Sequence, residues 1–359
     1  MAETAKPTND VTALANYAGK YSKALIGQLL NTLDIATDIF VMRNIDGPTK
    51  LTKLTISAGI RPIDTSIDDV DDTGRVWSGR TIDVYGGMKL FKVIPEELRK
   101  TWMSDQLGPN AKKEPFAQFT WTKEFEKIAE EINDSVFYAD YKADAPAYDA
   151  LAVYTAGVSF VKFEKNFYAC ITTTTAGQSP TTHPAKWEKI NASAITTGLG
   201  TIIKNEITAG NLVPIPTAVF TETNTVAELQ KVWEGTSKAF KKKKSIMYIS
   251  GDVMTKYLKD YDTRYGKGNG IADTTEDDPI VYLKGSRKKV LLKECTWMND
   301  SQRVFITLDE NAVMAINQDS DLNSIGKMIE TLHGYKAIIK YLMGFQFQDL
   351  EILYVNDKL

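Results

Sequence analysis

The chain has 359 residues, of which 43% are hydrophobic and 25% are charged, and its formal net charge at pH 7 is -3. This is the composition of a globular protein that is long enough for two or three domains. It has no uninterrupted run of about 18 apolar residues, so a membrane-spanning helix is excluded. The near-neutral charge argues against a protein that wraps nucleic acid through its net charge.

The small numbers of cysteine and histidine residues argue against a disulfide framework and a metal site. The two cysteines, Cys170 and Cys295, are too few for a disulfide framework and fit a reducing cytosol. Neither His183 nor His333 has another histidine or cysteine at the spacing of a metal site. Walker loops and the G-x-S-x-G motif of serine hydrolases are absent from the sequence. We therefore predict no catalytic residue, no metal site, no cofactor and no enzymatic activity, and the polar first ten residues predict no secretory signal.

The first half of the chain predicts two helices separated by an extended arm. Leucines at every fourth position predict a helix over about 20–38, and apolar residues three and four apart predict one over about 121–138. Residues 50–87 alternate apolar and small polar side chains around four aspartates between 68 and 72, with too little apolar surface for a core. This pattern predicts a two-stranded arm with a charged, solvated tip. A calcium loop is the alternative for the tip, but Arg80 stands where its bidentate glutamate is needed.

The composition changes after residue 146. Residues 148–190 are rich in aromatic side chains and threonine and predict short strands and turns. A helical pattern returns over 195–210 and ends at Gly210. We interpret residues 147–191 as a small β-rich domain inserted into a larger host, with its two ends close together.

Beyond residue 219 helices and strands alternate. The pattern predicts a helix over 225–240, in which Thr225 and Glu228 have the spacing of a capping box, and a helix over 253–261 with Ser250 as its N-cap. Strands are predicted at 246–249, 280–283, 290–292, 304–308, 313–316, 335–342 and 352–355. The only sharp basic cluster, four lysines at 241–244, predicts a solvated corner that complements a helix dipole, with phosphate contact as the alternative.

The order of these elements resembles the major capsid proteins of tailed bacteriophages, whose Hong Kong 97 type of fold encapsulins share. The resemblance rests on the first helix, the arm, the long helix, and the phrases MKLFKVIP at 88–95 and SIMYISGDV at 245–253. It implies an α+β, Hong Kong 97-like capsid fold with a peripheral domain, an axial domain and an arm that lies over a neighbouring subunit. The implied segments are 1–49 (N-terminal arm and helix), 50–87 (extended arm), 88–146 (peripheral domain with the spine helix), 147–191 (insert), 192–219 (peripheral domain), 220–322 (axial domain) and 323–359 (C-terminal strands of the peripheral domain).

The inserted segment resembles the small chitin-binding domains, a kind of carbohydrate-binding module. The resemblance is carried by FVKF at 160–163, FYAC at 167–170, and Tyr148, Tyr154, Gly157, Gly177, Pro180 and Trp187. It implies a small all-β domain in which Tyr148 and Trp187 are the candidate contacts with a glycan. The segment departs from the family at 164–166, which lacks the usual glycine, and at Thr172 and Thr173, which replace an exposed tryptophan pair. Packing in the core of the small domain is the alternative role for both aromatic rings.

These features predict a structural subunit that self-assembles through hexamers and pentamers into the icosahedral capsid around the genome of a tailed bacteriophage. The expected partners are other copies of the chain, portal, scaffolding and decoration proteins, packaged double-stranded DNA on the inner face, and surface glycans, but no membrane. Since only about twenty residues precede the first predicted helix, a scaffold would be a separate protein or absent. The expected location is the virion, after assembly in the host cytoplasm. Two alternatives stay open: an encapsulin-like compartment with protein cargo, and a carbohydrate-binding protein.

Overall fold

The computed structural model describes residues 32–56, 75–94, 116–266, 281–317, 328–331 and 334–358. The first predicted helix up to residue 31, the charged arm tip at 57–74 and His333 lie outside these residues. The helices are α1 (Asp34–Asp38), α2 (Phe116–Ser135), α3 (Leu199–Thr208), α4 (Thr225–Glu234) and α5 (Gly251–Tyr265). The strands are β1 (Phe40–Arg43), β2 (Thr49–Ile56), β3 (Arg75–Ile82), β4 (Tyr85–Val93), β5 (Phe160–Phe163), β6 (Asn166–Cys170), β7 (Trp187–Lys189), β8 (Ser245–Ser250), β9 (Val281–Tyr282), β10 (Val290–Cys295), β11 (Phe305–Thr307), β12 (Ala312–Ile316), β13 (Met328–Thr331), β14 (Gly334–Phe347) and β15 (Tyr354–Val355).

The first sheet is built around the long strand β14. This strand pairs antiparallel with β4, with β13 near its start and with β12 near its end, and β1 lies parallel to β12. All five residues of β12 are buried. Strands β1 and β13 were not predicted, because four residues give too short an alternation to recognise.

Helix α2 packs on the first sheet through the predicted apolar face. Phe125, Ile128 and Ile132 are all buried in one core with β14 residues, and Trp121 meets Phe91 of β4 edge to face. Each such side chain contributes about 1.5–3 kcal/mol when buried. The helix ends at Ser135 and not near residue 138 as predicted. Beyond this end, the carbonyls of residues 137 and 139 accept hydrogen bonds from the amides of residues 200 and 198.

The second sheet has the strand order β15-β11-β8-β10-β9, in which β8 and β10 are parallel. Helices α4 and α5 supply the apolar side chains that pack on it, among them Leu229 and Tyr257. The predicted N-cap of α5 is confirmed, because the Ser250 hydroxyl accepts the backbone N–H of Val253 at 3.4 Å. The predicted glycine end of α3 is also confirmed, since Gly210 follows the helix with φ of 77°.

The predicted capping box of α4 is wrong, and so is the predicted end of that helix. The N-cap is Asn224, while Thr225 donates its hydroxyl to the carbonyl of Thr221. The Glu228 carboxylate accepts the backbone N–H of Ala218 at 2.9 Å and so ties the incoming loop to the helix. The helix stops at Glu234 instead of residue 240, and a separate turn of 3-10 helix (Phe240–Lys242) follows.

The sheet to which a strand belongs does not follow the segment to which the sequence assigned it. Strand β12 falls in the segment 220–322 but lies in the first sheet, whereas β15 falls in 323–359 and pairs with β11 of the second sheet. One core contains residues of both sheets, including Phe305 of β11 and Phe347 of β14, whose rings lie 5.7 Å apart. An alternating pattern predicts that a strand exists, but the pattern does not say which strand it pairs with.

Candidate assembly surfaces

The two-stranded arm predicted by sequence is present as the antiparallel pair β2–β3. At its base, Leu51 and Ile82 are buried against Val313 and Ala315 of β12. This apolar contact holds the base of the arm on the first sheet. The two strands therefore leave the body from a fixed position.

Polar contacts at the base add to this attachment. The Arg80 guanidinium forms an ion pair with Glu206 of α3 and donates to the side-chain oxygen of Gln346 at 3.1 Å. The Lys53 ammonium lies 2.8 Å from a carboxylate oxygen of Asp349. Burial raises the pKa of Glu206, but the hydrogen bonds from Arg80 and Asn211 outweigh it, and the pKa lies below its usual value.

The distal half of the arm exposes apolar side chains. Trp77 is 68% exposed and Ile56 is 60% exposed, and Leu54 and Val76 are also exposed. Leu54 is paired directly with Trp77, whereas Val76 points to the opposite face, so both faces of the ribbon carry apolar surface. An isolated two-stranded ribbon is only marginally stable in water. Contiguous apolar surface of this kind marks a site of interaction with another molecule.

A second apolar surface lies on the first sheet, on the face that points away from α2. Met88, Leu90 and Ile329 are exposed there, whereas Lys89 on the opposite face forms an ion pair with Glu124 of α2. No described residue covers these three side chains. This surface and the distal half of the arm are therefore both candidate contacts between molecules.

Strands β5, β6 and β7 form a separate three-stranded sheet within residues 147–191. A small cluster of Tyr154, Val161, Cys170 and Trp187 is buried beneath it. The segments that enter and leave are hydrogen-bonded to each other, residue 140 to 193 at 2.8 Å and residue 142 to 194 at 3.1 Å. The segment therefore begins and ends at one place, as an insertion requires.

The structure gives Trp187 the core role that was the alternative to sugar contact. Its side chain is 5% exposed, its indole N–H donates to the carbonyl of Gln178 at 3.0 Å, and the rings of Tyr148 and Tyr154 lie against it. A ring with both faces covered has no surface on which a sugar can stack. Tyr148 is half-buried, with its ring also against Phe163, and its contact with a glycan stays a prediction.

Of the four lysines at 241–244, the first two lie in the 3-10 turn and the other two connect it to the start of β8. The Lys241 ammonium donates to the carbonyl of Glu234 at 2.6 Å, so this lysine complements the end of α4 as predicted. Lys242, Lys243 and Lys244 are exposed, and no carbonyl of the described residues accepts a hydrogen bond from their ammonium groups. A second basic run, residues 287–289, lies next to them because β8 and β10 are parallel and begin at the same edge. Sequence analysis missed this pairing, although the run directly precedes a predicted strand.

The described residues contain no group of three or more His, Cys, Asp or Glu side chains that could hold a metal ion. His183 is exposed, with its ring Nδ1 2.9 Å from the hydroxyl of Thr182. Cys170 and Cys295 are buried free thiols, and burial raises the pKa of Cys295 well above its usual value, which disfavours the reactive thiolate. Over the same residues, no helix combines the length and the hydropathy that crossing a bilayer requires.

A cavity of about 440 Å³ lies between α3 and the segment 147–191. Its walls include the rings of Tyr138 and Phe160 and the polar side chains of Asp140, Lys204 and Asn205. Asp140 is already ion-paired with Lys142 at 2.8 Å. The lining includes no histidine or cysteine.

No protein-family model matches the sequence, and no curated protein matches it. Solved structures do match the fold. A chain of the satellite phage P4 procapsid, in a structure that includes the size determination (Sid) protein, superposes with a TM-score of 0.53 at 10% identity, covering 94% of this chain and 90% of that chain. The fold is that of a phage procapsid chain.

The structure is less similar to the proteins of two other shells. The capsid of an empty GTA particle gives a TM-score of 0.46 at 9% identity over 91% of this chain and 90% of that one. The SrpI encapsulin of Synechococcus elongatus gives 0.44 at 11% identity over 90% and 86%. The match with the P4 procapsid chain confirms the expectation of a mixed α+β fold resembling phage capsid proteins, and the peripheral and axial assignments stay predictions.

Proposed function

We propose that this protein is a structural subunit that assembles into the closed icosahedral capsid of a tailed bacteriophage, through hexamers and pentamers, around double-stranded DNA. The observation that carries the proposal is the arm, which is anchored at its base and exposes Leu54, Ile56, Val76 and Trp77 beyond it. The fold shared with the P4 procapsid chain supports the same assignment.

The physical argument is that the arm gains stability only on a second molecule. Burying one large apolar side chain contributes about 1.5–3 kcal/mol, so four of them supply a useful contact in each subunit. A contact between an arm on one copy and a different surface on the next is heterologous, and heterologous contacts that close make rings. The exposed face with Met88 and Leu90 is the candidate for the receiving surface.

Truncating the arm tests the proposal. Residues 54–77 would be replaced by Asn-Gly, a two-residue hairpin turn that joins Lys53 to Ser78, which are paired in the ribbon. The contacts of Leu51, Arg80 and Ile82 with the body are kept. We expect a folded subunit with an unchanged thermal transition and no particles in negative-stain electron microscopy.

A second deletion serves as the control. Replacing residues 147–191 with a short Gly/Ser bridge removes a longer segment whose ends lie side by side. We expect this variant to fold and still form particles. Particles from the arm-truncated protein would contradict the proposal, and so would a wild type that stays monomeric at high concentration in the presence of its scaffolding protein.

The inserted segment is proposed to be a decoration that projects from the outer face. Around its small core it exposes Leu151, Val153, Val158 and Ile171. Exposed apolar side chains of this kind are suited to contact with neighbouring proteins. Proteolysis of intact particles should cut within 147–191 before the body if the segment lies outside. Glycan-array binding by particles with Tyr148→Ala, compared with wild type, tests the sugar contact.

The content of purified particles separates the capsid from an encapsulin-like compartment. Nuclease-resistant double-stranded DNA supports the capsid, and a protein cargo without DNA supports the compartment. The carbohydrate-binding alternative depends on the insert alone, and its main aromatic candidate, Trp187, is buried. Portal and scaffolding proteins, residence in the virion and assembly in the host cytoplasm follow from the capsid proposal.

A further inference from the structure

Two basic runs that are far apart in sequence meet at one edge of the second sheet. We call residues 241–244 and 287–289 the basic edge. Two hydrogen bonds to backbone carbonyls hold the runs together: the Ser245 N–H donates to the carbonyl of Lys289 at 2.9 Å, and the Lys289 ammonium donates to the carbonyl of Lys241 at 3.0 Å. Parallel pairing of Ser245 with Val290 brings the start of both strands side by side. The arrangement therefore follows from the sheet topology.

The exposed cations of the basic edge form no ion pair with a described residue, and Glu351, which lies near Lys243, is paired with Lys53. Neither residues 235–250 nor residues 281–293 contain an Asp or a Glu. Lys241 and Lys289 donate to backbone carbonyls, but five cations are exposed and form no ion pair within the part of the chain that the structure describes; these are Lys242, Lys243, Lys244, Arg287 and Lys288. The whole chain carries a net charge of -3, so this is a local concentration of positive charge.

The turn that presents Arg287 and Lys288 is unusual. Both residues have positive φ, 55° and 57°, where Asn and Gly are ordinarily found. The turn is closed by the N–H of Lys289 to the carbonyl of Ser286 at 3.2 Å, and the Ser286 hydroxyl donates to the carbonyl of Leu283 at 2.7 Å. A less strained sequence would form the same turn without the two cations. The geometry alone therefore does not account for them.

We propose that the basic edge binds the phosphate backbone of a double-stranded nucleic acid without reading its sequence. Protein interfaces combine an apolar core with a polar rim, whereas sequence-independent binding of nucleic acid needs only cations placed against phosphates. The five exposed groups are ammonium and guanidinium ions, and the large apolar side chains of both runs and their strands are buried or half-buried, apart from Tyr282. An acidic protein is the competing occupant. The inference deepens the proposed shell function and rests on it, because it names where an enclosed DNA touches the subunit.

The dependence of DNA affinity on salt concentration measures how many phosphates the basic edge contacts. Each phosphate neutralised by a cation contributes about 0.9 to the slope of log affinity against log salt concentration. Five cations in contact with phosphates would therefore give a slope of about -4.5. Removing three of them should lower its magnitude by about 2.7.

The test measures binding of a fluorescent 20-base-pair duplex to the full-length subunit fraction from size-exclusion chromatography, between about 50 and 200 mM salt. The edge variant is Lys242→Gln, Lys243→Gln and Lys244→Gln. The matched control replaces three exposed lysines on the inserted sheet, Lys162, Lys165 and Lys189, with Gln. Both variants lose three positive charges, which changes the net charge from -3 to -6, so general repulsion of DNA is equal in the two.

We expect the edge variant to weaken binding at least about tenfold and to lower the salt slope as calculated, while the control stays within about twofold of wild type. Equal weakening by both variants would overturn the proposal, since binding would then be diffuse. Tighter binding of polyglutamate than of the duplex would overturn it in favour of an acidic protein. Circular dichroism of each variant excludes misfolding, and Arg287→Gln with Lys288→Gln supplies a second edge variant in case the first does not fold.

Electron microscopy of the same preparations keeps the two proposals separate. A wild type that forms shells but does not bind the duplex overturns the inference about the basic edge alone. A wild type that binds the duplex through the basic edge but forms no shell overturns the proposed function alone.

Discussion

Two tryptophans show how differently the body and the arm use the same side chain. Trp297 is fully buried in the core that contains residues of both sheets, where its indole N–H donates to a carboxylate oxygen of Asp38 at 2.7 Å and its ring contacts Phe137. Trp77 is 68% exposed on the distal half of the arm. The first contributes to the stability of the fold, whereas the second contributes almost nothing to it. The exposed apolar side chains of the arm therefore contribute little to the stability of the single chain, and the proposed contact with a neighbouring copy is what would bury them.

The largest expected effect comes from removing the buried member of this pair. Trp297→Ala leaves a cavity in a core that both sheets share and leaves the carboxylate of Asp38 without its indole donor. Such truncations cost about 3–5 kcal/mol. We expect the free energy of unfolding, measured by urea denaturation, to fall by about this amount. A loss below about 1 kcal/mol would mean that the core is not packed as described.

The exposed member should behave in the opposite way. Trp77→Ala should leave the free energy of unfolding within about 0.5 kcal/mol of wild type, because the side chain touches little of its own subunit. It should nevertheless lower the yield of particles, since each arm loses about 1.5–3 kcal/mol of contact with its neighbour. Light scattering during assembly measures this. Thr52→Ala, on the same ribbon and also exposed, is the control and should assemble as wild type does.

The sequence predicted features that depend on near neighbours in the chain. The buried face of α2, the N-cap Ser250 and the glycine end of α3 are local patterns, and each is present. The arm was also recognisable, because its lack of core material is visible in composition. Its anchors were not, since Arg80 meets Glu206 across more than a hundred residues.

The failures share one cause, which is tertiary context. Thr225 and Glu228 have capping-box spacing, but each finds a better partner in the preceding loop. Trp187 resembles a sugar-stacking residue in sequence, yet it is buried in the small core beside β5, β6 and β7. The basic edge was half visible as four lysines. Its second half required the knowledge that β8 and β10 are parallel neighbours.

The smallest expected effect concerns the anchor of the arm and its dependence on pH. Burial raises the pKa of Glu206, but the hydrogen bonds from Arg80 and Asn211 lower it by more, so the pKa lies below its usual value. A carboxyl whose pKa is lower in the folded state stabilises that state above its unfolded pKa, about 4.3. This contribution is lost as the pH falls through the folded pKa. The base of the arm should therefore loosen on acidification below about pH 5.

Hydrogen exchange of β2 and β3, corrected for the intrinsic rate at each pH, measures this loosening. In wild type, protection of the two strands should fall from pH 5 to about pH 3. Glu206→Gln keeps a hydrogen-bond acceptor for Arg80 but has no charge to lose, so protection should be lower at pH 6 and should change less on acidification. The Lys53 contacts with Asp349 and Glu351 persist in both proteins, so the difference between the two isolates Glu206. Glu126→Gln, in an exposed ion pair on α2, should leave the profile of the arm unchanged. Identical profiles for wild type and Glu206→Gln would mean that the apolar contacts of the base alone hold the arm in place.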